Sequence, residues 1–146
     1  MRRPIDLTQI DHVFAAKPLL IGGQAMAYYQ LRAAGDDSDF VVSAADYEGL
    51  AARYPQHKRD LFGDLGVSIG EFEFWRSILL FDYAALSVGA VEAERYHVVS
   101  LAKLLFLKAL ALPDAKAERD LRLVVQKIHA IQYSKDPTPP RVIFGS

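Results

Sequence analysis

Leu19-Leu20-Ile21-Gly22-Gly23-Gln24-Ala25-Met26-Ala27, followed by Asp37-Ser38-Asp39-Phe40-Val41-Val42, is the stretch on which the reading of this chain turns. A short apolar run ends in two glycines, an alanine- and methionine-rich segment follows, and two aspartates lead into a second apolar run. That order predicts strand, glycine turn, helix and acidic strand. Glycines at such a turn let backbone N–H groups approach a phosphate. Carboxylates one residue apart on a strand point to one side, where they can share a hard cation.

Working outward, Leu7, Ile10 and Phe14 have helical spacing and predict a short opening helix that stops before Lys17-Pro18, because proline disfavours helix in the residue before it. The helix after the glycine pair is expected over Gln24 to Ala34, closed by Gly35. Ser43 is placed to cap a helix carrying Tyr47, Leu50, Ala51 and Tyr54 up to Pro55. Gln56 to Asp64 is polar and reads as a loop. Val67 to Ile78 alternates and predicts one strand, with Phe72 and Phe74 on one side and Glu71, Glu73 and Trp75 on the other. Leu79 to Glu94 has no clear period, although Phe81, Tyr83 and Leu86 are spaced for a short helix. Tyr96 to Val99 predicts a strand, and Ser100 caps a helix over Leu101 to Leu112 whose nearly unbroken apolar surface predicts a central, buried position. Pro113 ends that helix. Ala117, Leu121, Val124, Ile128 and Ile131 then form one face of an amphipathic helix, with Glu118, Arg119, Arg122 and Lys127 outside. The fold class expected is α+β, a small mixed β-sheet with helices packed on it and C-terminal helices after it. One domain is expected over 1–133, with a proline-rich tail over 134–146.

With 146 residues, 51% of them hydrophobic, the chain is long and apolar enough to bury a core. A formal net charge of -1 argues against a surface built mainly to hold nucleic acid, while RNA stays open as a substrate. The absence of cysteine excludes disulfides and thiolate metal sites and is compatible with a cytosol. Met1 to Asp6 has no apolar segment suited to a signal peptide, so no export is expected. Leu101 to Leu112 is interrupted by Lys103 and Lys108 and falls far short of the roughly 20 residues of a bilayer span, so no membrane is expected. The four histidines, His12, His57, His97 and His129, show no ligand spacing, and no Ser/His/Asp order suggests a hydrolase.

Gly22-Gly23, a gap of thirteen residues, and Asp37-x-Asp39 with apolar neighbours resemble the signature of the nucleotidyltransferase fold shared by DNA polymerase beta. From Gly22-Gly23-Gln24-Ala25 to Lys108 and Arg119-Asp120, the chain is similar to the small bacterial nucleotidyltransferase-like proteins of the abortive-infection and toxin–antitoxin group. The similarity runs in order over roughly residues 18–130, and its sharp part is the first third. It implies magnesium-dependent transfer of a nucleoside monophosphate from a nucleoside triphosphate, ATP or another, to a hydroxyl of a protein or RNA in the cytoplasm. The alternative is a binding module without turnover, antitoxin-like or a nucleotide sensor. A partner toxin or antitoxin and a homodimer are both compatible with it.

The resemblance assigns Asp37 and Asp39 to Mg2+ and catalysis and calls for a third carboxylate on the adjacent strand. Glu73 is the first choice, Glu71 the second and Asp82 a more distant option. Gly22, Gly23 and Gln24 are the expected nucleotide-binding turn, and Lys108, an ammonium in an apolar helix, is expected to point at the triphosphate or to reach the surface. Arg32 and Arg119 are further cations that can hold phosphate or decorate the surface. Two departures bear on catalytic competence rather than on fold. Gln24 follows the glycines where the related enzymes often have a small hydroxyl residue, and Gly35 stands where Thr or Ser is frequent. Gly35-Asp36-Asp37-Ser38 is also good chemistry for a solvated turn.

Overall fold

A computed structural model of the chain describes residues 4–133, and the proline-rich tail expected over 134–146 lies outside the described residues. The chain divides into two compact units, residues 1–104 and 105–146. The fold is α+β, as the sequence predicts, with a seven-stranded mixed sheet and five helices among the described residues.

In the first unit the strands are β1 (Leu19–Ile21), β2 (Ser38–Val41), β3 (Lys58–Leu61), β4 (Asp64–Ile69), β5 (Phe72–Trp75), the small pair β6 (Ser77–Ile78) and β7 (Phe81–Asp82), β8 (Val91–Glu92) and β9 (His97–Val98). The large sheet runs β3-β4-β5-β2-β1-β9-β8, with β5 parallel to β2, β9 parallel to β1 and the other neighbours antiparallel. Its register explains the core. Val67, Phe74, Phe40, Leu20 and Val98 are successive cross-strand partners and form one row of buried side chains over the five central strands. Phe40 and Phe74 stack with centroids 5.6 Å apart. Each fully buried side chain of this size contributes roughly 1.5–3 kcal/mol.

Because side chains alternate along a strand, the residues between these take the opposite face. Ser68, Glu73, Asp39 and Ile21 are partners in one row there. Gly66 and Trp75 are partners in the next, and a Cβ on Gly66 would lie 2.6 Å from Trp75 Cε3, so the indole covers the glycine backbone. Gly66→Ala is therefore expected to cost about 1–3 kcal/mol by overpacking. Denaturant unfolding followed by the fluorescence of Trp75, the single tryptophan, measures it.

Three helices belong wholly to this unit. α1 (Gly22–Tyr28) packs on β1 and β2, and α2 (Ala44–Arg53) packs on β4. Ser43 caps α2 by accepting the Asp46 N–H at 3.1 Å, as expected. α3 (Tyr83–Leu86) is a single turn.

Several expected elements differ. The opening helix is only a 3-10 turn, Leu7–Gln9, because the chain after it is drawn out to bond Asp46 through the N–H groups of Ala15 and Ala16. α1 stops at Tyr28 rather than Ala34. Its end is a Schellman turn, with Leu31 N–H on the Met26 carbonyl and Gln30 N–H on that of Ala27, and Gln30 takes the left-handed position at φ 60° that glycine usually fills. The Tyr29 hydroxyl, donating to the Val99 carbonyl at 2.8 Å, ties this end to the sheet. Burial holds that phenol protonated, its pKa pushed up to about 12.

The expected Gln56–Asp64 loop contains β3, paired with β4 around Phe62 and Gly63, both at positive φ. The expected strand Val67–Ile78 is a hairpin instead, because Gly70 at φ 58° turns the chain between β4 and β5. The unassigned stretch supplies β7, α3 and β8. Leu79 and Leu80, both at positive φ, join β6 to β7, and the buried Asp64 carboxylate accepts their two N–H groups and the Ser77 hydroxyl.

α4 (Leu101–Leu110) begins in the first unit, where the Ser100 hydroxyl caps it by accepting the Lys103 N–H. Of its residues only Leu104 is buried, which corrects the central position that its apolar surface predicts. In the second unit, Asp114 caps α5 (Ala115–Tyr133), accepting the Ala117 N–H at 2.9 Å. Ala117 and Val124 are buried as expected, whereas Ile131 is 55% exposed.

Candidate functional site

β2 runs antiparallel to β1 and parallel to β5, so the end of β1 and the starts of β2 and β5 meet at one end of the sheet. This topology collects the glycine pair and the acidic residues predicted from sequence. Gly22 follows β1 directly at φ 66°, a conformation that costs any other residue about 1–2 kcal/mol. A Cβ there would stand 2.8 Å from Oδ2 of Asp39, so the carboxylate packs onto the bare glycine backbone. Gly23 has a different neighbourhood. The three heavy atoms nearest a Cβ on it are Arg32 Nη1 at 3.5 Å, the Gly35 amide nitrogen at 3.6 Å and Arg32 Nη2 at 3.7 Å. A carboxylate thus lies against one glycine and nitrogen donors against the next.

Asp39 and Glu73 are cross-strand partners, half-buried and on the same face. Glu73 is turned along the sheet toward β3, where its Oε1 accepts from Arg59 Nη1 at 2.7 Å. The same guanidinium lies over the Trp75 ring, 5.3 Å from its centroid, and reaches the Ser68 hydroxyl at 3.4 Å. Asp37 is exposed and precedes β2 by one residue. Glu71 sits in the β4–β5 turn rather than on the strand, and its Oε2 accepts from the buried Ser38 hydroxyl at 3.3 Å. Asp82 caps α3 through the Ala85 N–H.

Gln24 is 1% exposed. Its amide donates to Ser38 Oγ at 3.4 Å, and its Oε1 is buried with no partner. Gln24 therefore links α1 to β2 from inside the fold. Lys108, in the second unit, has its Nζ 2.9 Å from Oδ2 of Asp120, with 16% and 2% of the two side chains exposed. Its charge is matched within that unit.

Asp37, Asp39 and Glu73 do not form a three-carboxylate group, and among the described residues no three His, Cys, Asp or Glu side chains are placed to hold a metal ion. Magnesium, the ion expected from the sequence, needs fewer protein donors than such a group supplies. That ion is commonly bound by one or two carboxylates, its other positions going to water and to phosphate oxygens. Asp39, fixed by its strand partners and the Gly22 backbone, is the firm member of such a set, and Asp37 the exposed one. Arg32, named from the sequence as a cation that can hold phosphate or decorate the surface, lies against Gly23, and Arg59 is the cation that sequence reasoning did not single out at this site. Arg59 gave no signal because it lies in a charged run, Lys58-Arg59-Asp60, that reads as loop.

No protein-family model matches this chain, and no curated protein and no solved structure does. No helix among the described residues is long and apolar enough to cross a membrane.

Proposed function

We propose that this protein is a magnesium-dependent nucleotidyltransferase that moves a nucleoside monophosphate from a nucleoside triphosphate to a hydroxyl on a protein or RNA. The observation that carries the reading is the contact of the Asp39 carboxylate with Gly22, beside Glu73 in register, at the end of β1. A carboxylate held there lies next to a turn whose backbone can approach an anion.

In the reaction, the acceptor oxygen forms a bond to the α-phosphorus while the bond from that phosphorus to the bridging oxygen breaks. Pyrophosphate leaves with the electron pair, and the hydroxyl proton passes to a carboxylate oxygen of Asp39 or Glu73. Asp37 and Asp39 would hold magnesium, which would supply positive charge to the triphosphate. The chain's own part is to keep these groups in place, since catalysis of this kind rests on positioning and electrostatics. The same reading puts the protein in the cytoplasm, with a toxin or antitoxin as partner.

Two observations favour the second reading, a binding module or nucleotide sensor. Arg59 already occupies Glu73, and the buried Gln24 offers no hydroxyl at the turn. One assay separates the two. Purified protein is incubated with magnesium and each labelled triphosphate in a lysate, beside an Asp37→Ala/Asp39→Ala double variant. Pyrophosphate release and label transfer by the wild type alone are expected. Identical behaviour of the two proteins ends the enzyme reading, and thermal stabilisation by triphosphate without pyrophosphate supports the sensor.

A further inference from the structure

Two β-hairpins carry large apolar side chains where the chain turns. β3 and β4 are joined by Phe62 and Gly63, and β6 and β7 by Leu79 and Leu80. All four linking residues have positive φ, at 54°, 98°, 48° and 68°. Two-residue hairpin loops of this kind favour Asn-Gly or Asp-Gly, because most side chains are disfavoured in the left-handed region and a polar one suits the solvent around a tip. Phenylalanine and leucine satisfy neither preference. Both tips are nevertheless fixed. The Asp60 carboxylate accepts the Gly63 N–H at 2.8 Å, and that of Asp64 accepts the Leu79 and Leu80 N–H groups at 2.6 and 2.8 Å. Residues that go against the local rule, and are held there by hydrogen bonds, point to a use for the side chains themselves.

The tips lie side by side. A Cβ on Gly63 would be 3.2 Å from Leu80 Cδ2, so Phe62, 98% exposed, and Leu80, 71% exposed, belong to one patch. With the exposed Leu61, Leu79 and Phe81 it presents on the order of 500 Å² of apolar surface, at the upper end of what a monomer leaves open. Beside Phe62 is a hollow of about 470 Å³ lined by Gly63, Leu80, Tyr83, Ala84, Arg76 and Asp82. A projecting ring and a hollow thus share one face, and the hollow carries one cation and one anion.

That combination is self-complementary. In a twofold contact the same patch serves both molecules, so each Phe62 meets the hollow of the other and each Arg76 can face an Asp82. Two such patches bury roughly 1,000 Å², the area at which a specific interface begins. A nucleic acid or an anionic surface would call for an excess of positive charge, which the hollow lacks. We infer that the chain pairs with a second copy of itself through the Phe62 and Leu79-Leu80 tips. The strand register puts this contact away from the candidate site. The tip opens β4 at Asp64, whereas the site lies toward the other end of β4, where Ile69 partners Phe72 and Phe72 partners Ser38. Pairing therefore leaves both sites open, and it holds whether or not they transfer nucleotides.

Sedimentation equilibrium of the full chain over a range of concentrations tests it. Two variants remove apolar surface while suiting the turn better, Phe62→Asn and Leu79→Asn/Leu80→Gly. Wild type should reach the mass of a dimer by about 100 μM, with a melting temperature that rises with concentration. Each variant should weaken the pairing about 10- to 100-fold, the effect of losing a central anchor. Phe62 is almost wholly exposed, so its replacement should keep the fold, and the melting temperature at low concentration checks this. Wild type that stays a monomer at about 100 μM overturns the inference. A dimer of unchanged strength in the folded Phe62→Asn variant also overturns it, by placing the contact elsewhere. Monomeric wild type that sediments with phosphatidylcholine or phosphatidylserine vesicles, when the variants do not, assigns the patch to a lipid surface and overturns it as well.

Discussion

Asp46→Ala is expected to cost about 3–5 kcal/mol of folding free energy, the range for removing one partner from a buried charged network. Asp46 is 1% exposed. Its Oδ1 accepts the Ala15 N–H at 2.8 Å and lies 2.9 Å from His12 Nε2, while Oδ2 accepts the Ala16 N–H at 3.1 Å and the Ser43 hydroxyl at 3.0 Å. These bonds hold the extended segment before β1 against the start of α2. Gly49 leaves the space for it, since a Cβ there would be 2.5 Å from His12 Cε1. Alanine would leave two backbone donors and a hydroxyl without their acceptor, at about 1–3 kcal/mol for each that stays buried. Against a total stability of about 5–15 kcal/mol, this is a large fraction. Chemical denaturation of the two proteins measures it, and a loss below 1 kcal/mol would contradict the role given to this carboxylate.

The same residue gives the protein a pH dependence of known sign. Burial pushes the Asp46 pKa up, but the N–H of Ala15, the His12 ring, the N–H of Ala16 and the Ser43 hydroxyl together outweigh it and leave the pKa below the ordinary 3.8. A group whose folded-state pKa is depressed stabilises the fold fully above its unfolded value, and that contribution is lost as pH falls through the folded one. Wild type should therefore lose stability more steeply than Asp46→Asn as pH drops below about 4. Parallel acid titrations of the melting temperature would show equal slopes if Asp46 were not responsible.

Under the nucleotidyltransferase proposal, Gly22→Ala has the largest effect expected on activity. The added methyl faces two obstacles, a backbone at φ 66° and Asp39 Oδ2 at 2.8 Å, with Asp39 Cβ and Cγ at 3.4 and 3.5 Å. The Asp39 backbone is paired on both sides, to Ile21 and Glu73, so the side chain is the part that can yield. Stability should fall by about 1–3 kcal/mol. Turning the carboxylate aside should lower nucleotidyl transfer on the order of 100-fold, the usual result of a misplacement near 1 Å. Gly23→Ala is the control for stability alone, because its methyl meets Arg32 and Gly35 at ordinary contact distances of 3.5–3.7 Å. Pyrophosphate release and urea midpoints for the two variants give the answer. Equal urea midpoints, or pyrophosphate release by Gly22→Ala at the wild-type rate, would mean that the Gly22–Asp39 contact does not organise the site.

The parts of the fold that could be read in advance are those written in neighbouring residues. Leu19–Ile21 is an apolar run stopped by two glycines, Ser43 and Ser100 precede helices whose N–H groups their hydroxyls accept, and Phe40 alternates with Asp39 in β2. Asp39 could be singled out for the same reason, because its spacing from Gly22 is a property of the sequence. The misread parts depend on distant partners. β3 is exposed along its whole length and becomes a strand only through pairing with β4. Glu73 looks like an available carboxylate until the hairpin brings Arg59 to it.

The amino-acid order by itself determined which segments alternate, where caps stand and that a carboxylate-bearing strand follows a glycine turn, because these are set by interactions a few residues long. Only the tertiary structure decided where α1 ends, since Tyr29 bonds a carbonyl 70 positions away, and hence that Arg32 returns to Gly23. It also decided which charges are already matched, because pairs such as Lys108 with Asp120 and Arg59 with Glu73 exist only once the backbone has brought them within reach.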